Sequence, residues 1–91
     1  MEELSLKTFE NGKEIIYEVL ATYHDDKSNK DYVVYTDKSI NKERKLNIYY
    51  SLYIINNNEI MLLETKDVED KRIGLELLKE IGNLIYKWLV N

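Results

Sequence analysis

Residues 12–37 read GKEIIYEVLATYHDDKSNKDYVVYTD, two tyrosine-rich apolar runs on either side of a polar turn. Glu14 to His24 alternates as a strand does. Ile15, Tyr17, Val19, Ala21 and Tyr23 share one face, and Ile16, Glu18, Leu20, Thr22 and His24 the other. Neither face is fully polar, so both are expected to be partly covered. Asp25 to Lys30 (DDKSNK) is a turn by composition. Asp31 to Asp37 follows as a second strand, β-branched or aromatic at nearly every position. A connection this short makes the two strands antiparallel neighbours.

The same grammar extends outward. Leu4 to Phe9 reads as a short edge strand or an ordered arm, and Asn11-Gly12 as a tight turn, because both residues tolerate positive φ. Lys38 to Lys45 is a loop. Leu46 to Ile55 is a strand, with Leu46, Ile48, Tyr50, Leu52 and Ile54 facing the core and Asn47, Tyr49, Ser51 and Tyr53 facing away. Asn56 to Asn58 turns into a further strand over 59–65.

From Asp67 onward the period changes to 3.6. Asp67 caps a helix over 68–90, with Glu69 and Asp70 placed where the helix dipole favours negative charge. Ile73, Leu77, Leu78, Ile81, Leu84, Ile85, Trp88 and Leu89 form one broad apolar arc. Gly74 lies inside that arc, which predicts close backbone contact with the sheet, because glycine within a helix costs about 1 kcal/mol. Such a helix would be roughly 34 Å long, matching the roughly 36 Å of the first long strand. The expected fold is α+β in one domain over residues 1–91. An antiparallel meander of four strands, five if 4–9 joins, is followed by one long amphipathic helix packed on one sheet face.

Composition narrows the function. The chain has 91 residues, 44% of them apolar and 33% charged, as in ordinary globular domains. It has no cysteine, which rules out disulfides and thiolate metal sites. It has no proline, so turns rest on Asn, Asp, Ser and three glycines. No apolar run reaches the roughly 18 residues of a membrane span, and the acidic first residues lack a signal-peptide core; these features predict a cytoplasmic protein. A net charge of −4 argues against broad affinity for phosphate backbones.

The candidate residues carry little chemistry. His24, the sole histidine, stands before Asp25 and Asp26. A histidine beside carboxylates suits a base or a metal ligand; the plainer reading is a strand end next to a solvated turn. The turn itself lacks the glycine and distant glutamate of a calcium loop. Tyr17, Tyr23, Tyr32, Tyr35, Tyr49 and Tyr53 form a candidate interaction surface, since tyrosine joins an apolar body to a wet tip. About half of them are expected to serve only as strand formers and cross-strand partners. Lys38, Lys42, Arg44 and Lys45 form a candidate basic loop, whose plainer role is a soluble connector. No serine lies in a nucleophile motif, and no catalytic residue, metal ligand or cofactor is assigned.

Several of these residues carry a resemblance. Asn11-Gly12 with Glu14, Tyr17-Glu18-Val19-Leu20, the acidic Asp25-Asp26 turn and Tyr32-Val33-Val34-Tyr35 resemble the YrzB-like family of small uncharacterised bacterial proteins. The likeness continues through Ile48-Tyr49-Tyr50-Ser51 and Leu63-Glu64. It implies a cytoplasmic protein and brings no reaction, cofactor or functional residue. One departure is that the family has an acidic residue followed by Trp early in its last helix, whereas residues 68–74 here contain none and the sole tryptophan is Trp88. The leading expectation is a non-enzymatic protein-interaction module, whose strand edges and open, tyrosine-bearing sheet face serve an unknown protein partner or a second copy of the chain. The alternative is an RNA-associated protein using sheet tyrosines and the Lys38–Lys45 loop.

Overall fold

The computed structural model describes residues 5–90, with side chains described for residues 6, 7 and 11–85. Leu4 and the side chains of Phe9, Trp88 and Leu89, all used in the sequence reading, lie outside the described residues. Five strands, β1 (Ser5–Glu10), β2 (Lys13–Asp25), β3 (Lys30–Ile40), β4 (Leu46–Asn56) and β5 (Glu59–Leu63), precede one helix, α1 (Val68–Val90). The sheet is an antiparallel meander in sequence order.

Its tight turns are made where sequence chemistry allows positive φ. Asn11 and Gly12 turn β1 into β2 at φ of 53° and 78°, and Asn57 and Asn58 turn β4 into β5 at 52° and 66°. Two adjacent left-handed residues match the twist of the flanking strands. At the β2–β3 turn, Asp25 accepts hydrogen bonds from the backbone and hydroxyl of Ser28, and Asn29 takes φ of 56°.

Register corrects the reading of β2. Val19 pairs with Tyr35 but Ala21 pairs with Val34, so Leu20 is an extra residue in a bulge. A bulge shifts the alternation by one. Tyr17 and Val19 therefore point to one side of the sheet and Ala21 and Tyr23 to the other, instead of sharing a face. A second irregularity lies between Thr36 and Ile40. It lets β3 run three residues past the expected end, so Lys38, with φ of 68°, belongs to a strand and not to the loop.

The helix packs on β4 and β3. Beneath it lie Tyr32, Val34 and Thr36 of β3 and Leu52, Tyr50 and Ile48 of β4, paired directly across the two strands. Tyr32, Val34, Thr36 and Leu52 are buried. Gly74 makes the close approach: a Cβ built there would stand 2.1 Å from Cε2 of Tyr50. Gly82, two turns later, is different, because its Cβ would meet only Cδ1 of Ile48 at 3.7 Å.

The other sheet face is not simply open. Leu6 and Val33, both turned away from the helix by their register, are fully buried. The sheet curls until β1 and β5, its two edges, come into contact without pairing. Bulges increase local twist and bend, and the curl closes part of the face that a single helix leaves uncovered.

Candidate functional site

The six singled-out tyrosines separate into two groups. Tyr32 lies under α1 with no exposure, so it presents no surface; Tyr23, paired with it, is half-exposed on the same side. Tyr17, Tyr35 and Tyr49 cluster on the far side. Tyr17 meets Tyr35 edge to face with ring centroids 5.0 Å apart, and Tyr35 meets Tyr49 at 5.7 Å. The Tyr49 hydroxyl donates to Asp37. Such aromatic pairs contribute roughly 0.5–1.5 kcal/mol beyond area burial. Tyr53 is half-buried farther along the same side, paired with Leu62.

Tyr32 owes its burial to its partner. Its hydroxyl donates to Oδ1 of Asp70 at 3.0 Å, and the Lys30 ammonium donates to Oδ2 at 2.8 Å. Asp70 is itself buried in the first turn of α1. Burial, and then the bond to Asp70, holds the Tyr32 hydroxyl well above its ordinary pKa; the bond to Asp70 raises that of Lys30. Asp70 was legible as a first-turn acid favoured by the dipole, but not as an anchor. The signal was present: Asp70 is one turn before Gly74, inside the apolar arc.

Exposed apolar side chains include Ile16 and Ile40, which stand apart on β2 and β3, and a group at the β4–β5 end of the sheet. Tyr32 pairs with Leu52, and Asp70 sits over Tyr32, so α1 begins at the level of Leu52. Ile54 and Met61, paired with each other one step farther out, lie beyond the end of the helix and are exposed. Ile55, next to them on the opposite face of the hairpin, is 68% exposed. The β4–β5 hairpin thus projects with apolar side chains on both faces. Leu63, Val68 and Leu75 are also exposed. Ile73 and Leu77 line the helix flank facing Tyr23, so Leu75, on the other side of Gly74 at 100° per residue, turns towards β5. Leu84, read as part of the core arc, is 56% exposed. It falls at the rim of the arc, where one helix on a curved sheet no longer reaches the surface beneath.

The four basic residues also separate. Lys38 lies 3.7 Å from Glu18 across the β2–β3 pair. Lys42, Arg44 and Lys45 stay in the β3–β4 loop, which is tightly built. Asn41 Oδ1 accepts from the backbone N–H groups of Glu43 and Lys45, and the Asn41 N–H donates to the Lys45 carbonyl. This loop faces the second half of α1 across a groove of about 720 Å³. Leu46, Ile48, Leu78, Gly82 and Ile85 line its apolar floor, and Arg44, Lys45 and Lys79 its rim.

His24 forms no such constellation. Its Nδ1 lies 2.8 Å from Asp31 Oδ1, directly across the strand pair, and its Nε2 lies 3.6 Å from Asp26. The hydrogen bond to Asp31 raises its pKa above the ordinary value, and Asp31, Asp26 and Asp25 add to this through their charge. The folded state therefore favours the imidazolium. That stabilisation is present below the unfolded pKa and is lost as pH rises through the folded pKa. An NMR titration of the ring is expected to give a midpoint above about 6.5, and Asp31→Asn to bring it back down. A midpoint unchanged in that variant would contradict the pairing. Among the described residues, no group of three or more His, Cys, Asp or Glu is placed to hold a metal ion, and no helix is long and apolar enough to cross a membrane.

Comparison with known proteins adds one relative. A UPF0473 protein of Leuconostoc mesenteroides subsp. mesenteroides is 40% identical over 50 residues, covering 55% of this chain and 48% of the relative. The match thus spans about half the length of the curated relative. No family model and no solved structure matches the chain. The likeness is to an uncharacterised bacterial protein, whose name carries no activity.

Proposed function

We propose that the chain is a non-enzymatic protein-interaction module that pairs with a second copy of itself through the β4–β5 hairpin. The observation that carries this reading is the hairpin end, where Ile54, Ile55 and Met61 stand exposed beyond the reach of α1. Clustered exposed apolar groups mark association surfaces. Among the described residues no strand is hydrogen-bonded to the outer edge of β5, which β1 approaches without pairing. Leu63 and Leu75 extend the apolar surface towards the helix. A two-fold contact would repeat this patch on both partners. We also propose, on the sequence resemblance, that the chain is cytoplasmic and YrzB-like; the likeness to an uncharacterised bacterial relative supports the coarser reading of a small uncharacterised protein.

Light scattering is expected to return twice the protomer mass of 10.9 kDa. Ile55→Asp and Met61→Lys are each expected to shift the population to monomer with the circular dichroism spectrum unchanged, since both side chains are exposed in the single chain. A strict monomer at high concentration would end the self-pairing reading. RNA binding has less support, because Tyr17, Tyr35 and Tyr49 pack against one another, whereas base stacking needs free ring faces.

A further inference from the structure

We infer that the groove between the β3–β4 loop and the second half of α1 binds a small amphiphilic anion, an alkyl chain ending in a carboxylate or phosphate. Three observations carry this. The first is size and lining. About 720 Å³ falls within the usual range for small-molecule sites, and the floor of Leu46, Ile48, Leu78 and Ile85 is apolar.

The second is charge. Among the described residues Arg44, Lys45 and Lys79 line the rim with one acid, Glu43, which lies 3.6 Å from Lys45, so Arg44 and Lys79 carry the positive charge left on this side in a chain of net charge −4. The opposite charge balance holds on the other flank of the helix, where Asp25, Glu69, Glu76 and Glu80 line the groove with Lys27 and Arg72. An anion therefore has one favourable side of α1. The bonds from the backbone N–H groups of Glu43 and Lys45 to Asn41 fix the loop that presents Arg44 and Lys45, so little ordering accompanies binding.

The third is Gly82. Gly74 is required by the Tyr50 ring, but among the described residues only Cδ1 of Ile48, at 3.7 Å, would meet a Cβ at Gly82. A residue unfavourable to the helix stands where packing does not ask for it, and the space it leaves is the groove. The alkyl chain would lie along Gly82, with its head group between Arg44 and Lys79.

The test follows the backbone and methyl NMR signals of the full chain during titration with decanoate, decyl phosphate and, as the uncharged arm, methyl decanoate, all below their aggregation concentrations. Saturable shifts confined to Leu46, Ile48, Leu78, Gly82 and Ile85 are expected with at least one anion. The ester is expected to bind at least tenfold more weakly. Arg44→Glu with Lys79→Glu should weaken the anion at least tenfold, whereas Lys71→Glu, on the same helix outside the groove, should leave it unchanged. Gly82→Met should fill the floor and abolish binding; should that variant unfold, the surface charge reversals still decide. The tighter of the two anions identifies the head group. Equal binding of the ester, shifts centred on Ile54 and Met61, or no saturable shift with either anion would overturn the assignment.

Discussion

Asp70→Ala is expected to lower the unfolding free energy by about 2–4 kcal/mol, read from urea melts at constant slope. The carboxylate sits in the first turn of α1 and takes a proton donor on each oxygen. Removing it strands the Tyr32 hydroxyl, which is wholly buried, and an unpaired buried polar group costs about 1–3 kcal/mol. Lys30 suffers less, because its side chain is 40% exposed and can turn to water. The cost is therefore below that of breaking a fully buried ion pair. Tyr32→Phe leaves Oδ1 of the buried Asp70 carboxylate without its donor and is expected to cost about 1.5–3 kcal/mol, as for a hydrogen bond to a charged group. The double variant should cost less than the two single losses summed, because the residues share one bond. A loss under about 0.5 kcal/mol for Asp70→Ala would show that the helix start is held by apolar contact alone.

This anchor shows where the sequence is legible and where it is not. The meander could be read because its turns are local: Asn-Gly, the acidic turn and the Asn run each fix a connection within a few residues. The start of α1 could be read because Asp67 accepts the Glu69 N–H, again a local contact. The approach of Gly74 to the sheet could be read because a glycine on an apolar arc gives up helix propensity, and nearness to the surface beneath is what it gains in return. The features that escaped are non-local. The bulge at Leu20 reassigns Ala21 and Tyr23, yet a bulge is set by pairing with β3 and leaves no mark in the alternation of β2. The curl that buries Leu6 and Val33 is a property of the whole sheet. Lys30 and Asp70 are 40 residues apart, and neither predicts the other. The groove needed Lys79 and Arg44 to line one cavity, which only the packing of α1 determines.

The second large effect is expected at Gly74. Gly74→Ala should destabilise the fold by about 2–3 kcal/mol, even though alanine gains about 1 kcal/mol over glycine in helix propensity. The new methyl would stand 2.1, 2.2 and 2.6 Å from Cε2, Cδ2 and Cζ of Tyr50, far inside any tolerable separation. The ring lies between helix and sheet, so relief requires either that Tyr50 leave the interface or that α1 rise from β4. Either route strips contacts from the Tyr32–Val34–Leu52 core and loosens the Asp70 anchor one turn away. Gly82→Ala supplies the internal control. Its methyl would meet one atom at 3.7 Å, an ordinary contact, so only the propensity gain remains and the protein should become more stable by about 0.5–1 kcal/mol. The same substitution in the same helix is thus expected to change sign over two turns. Tyr50→Val should be costly alone yet recover part of the Gly74→Ala loss, because it empties the space the methyl needs. Equal effects at the two glycines, or no coupling to Tyr50, would mean that helix propensity and not helix–sheet distance governs this face.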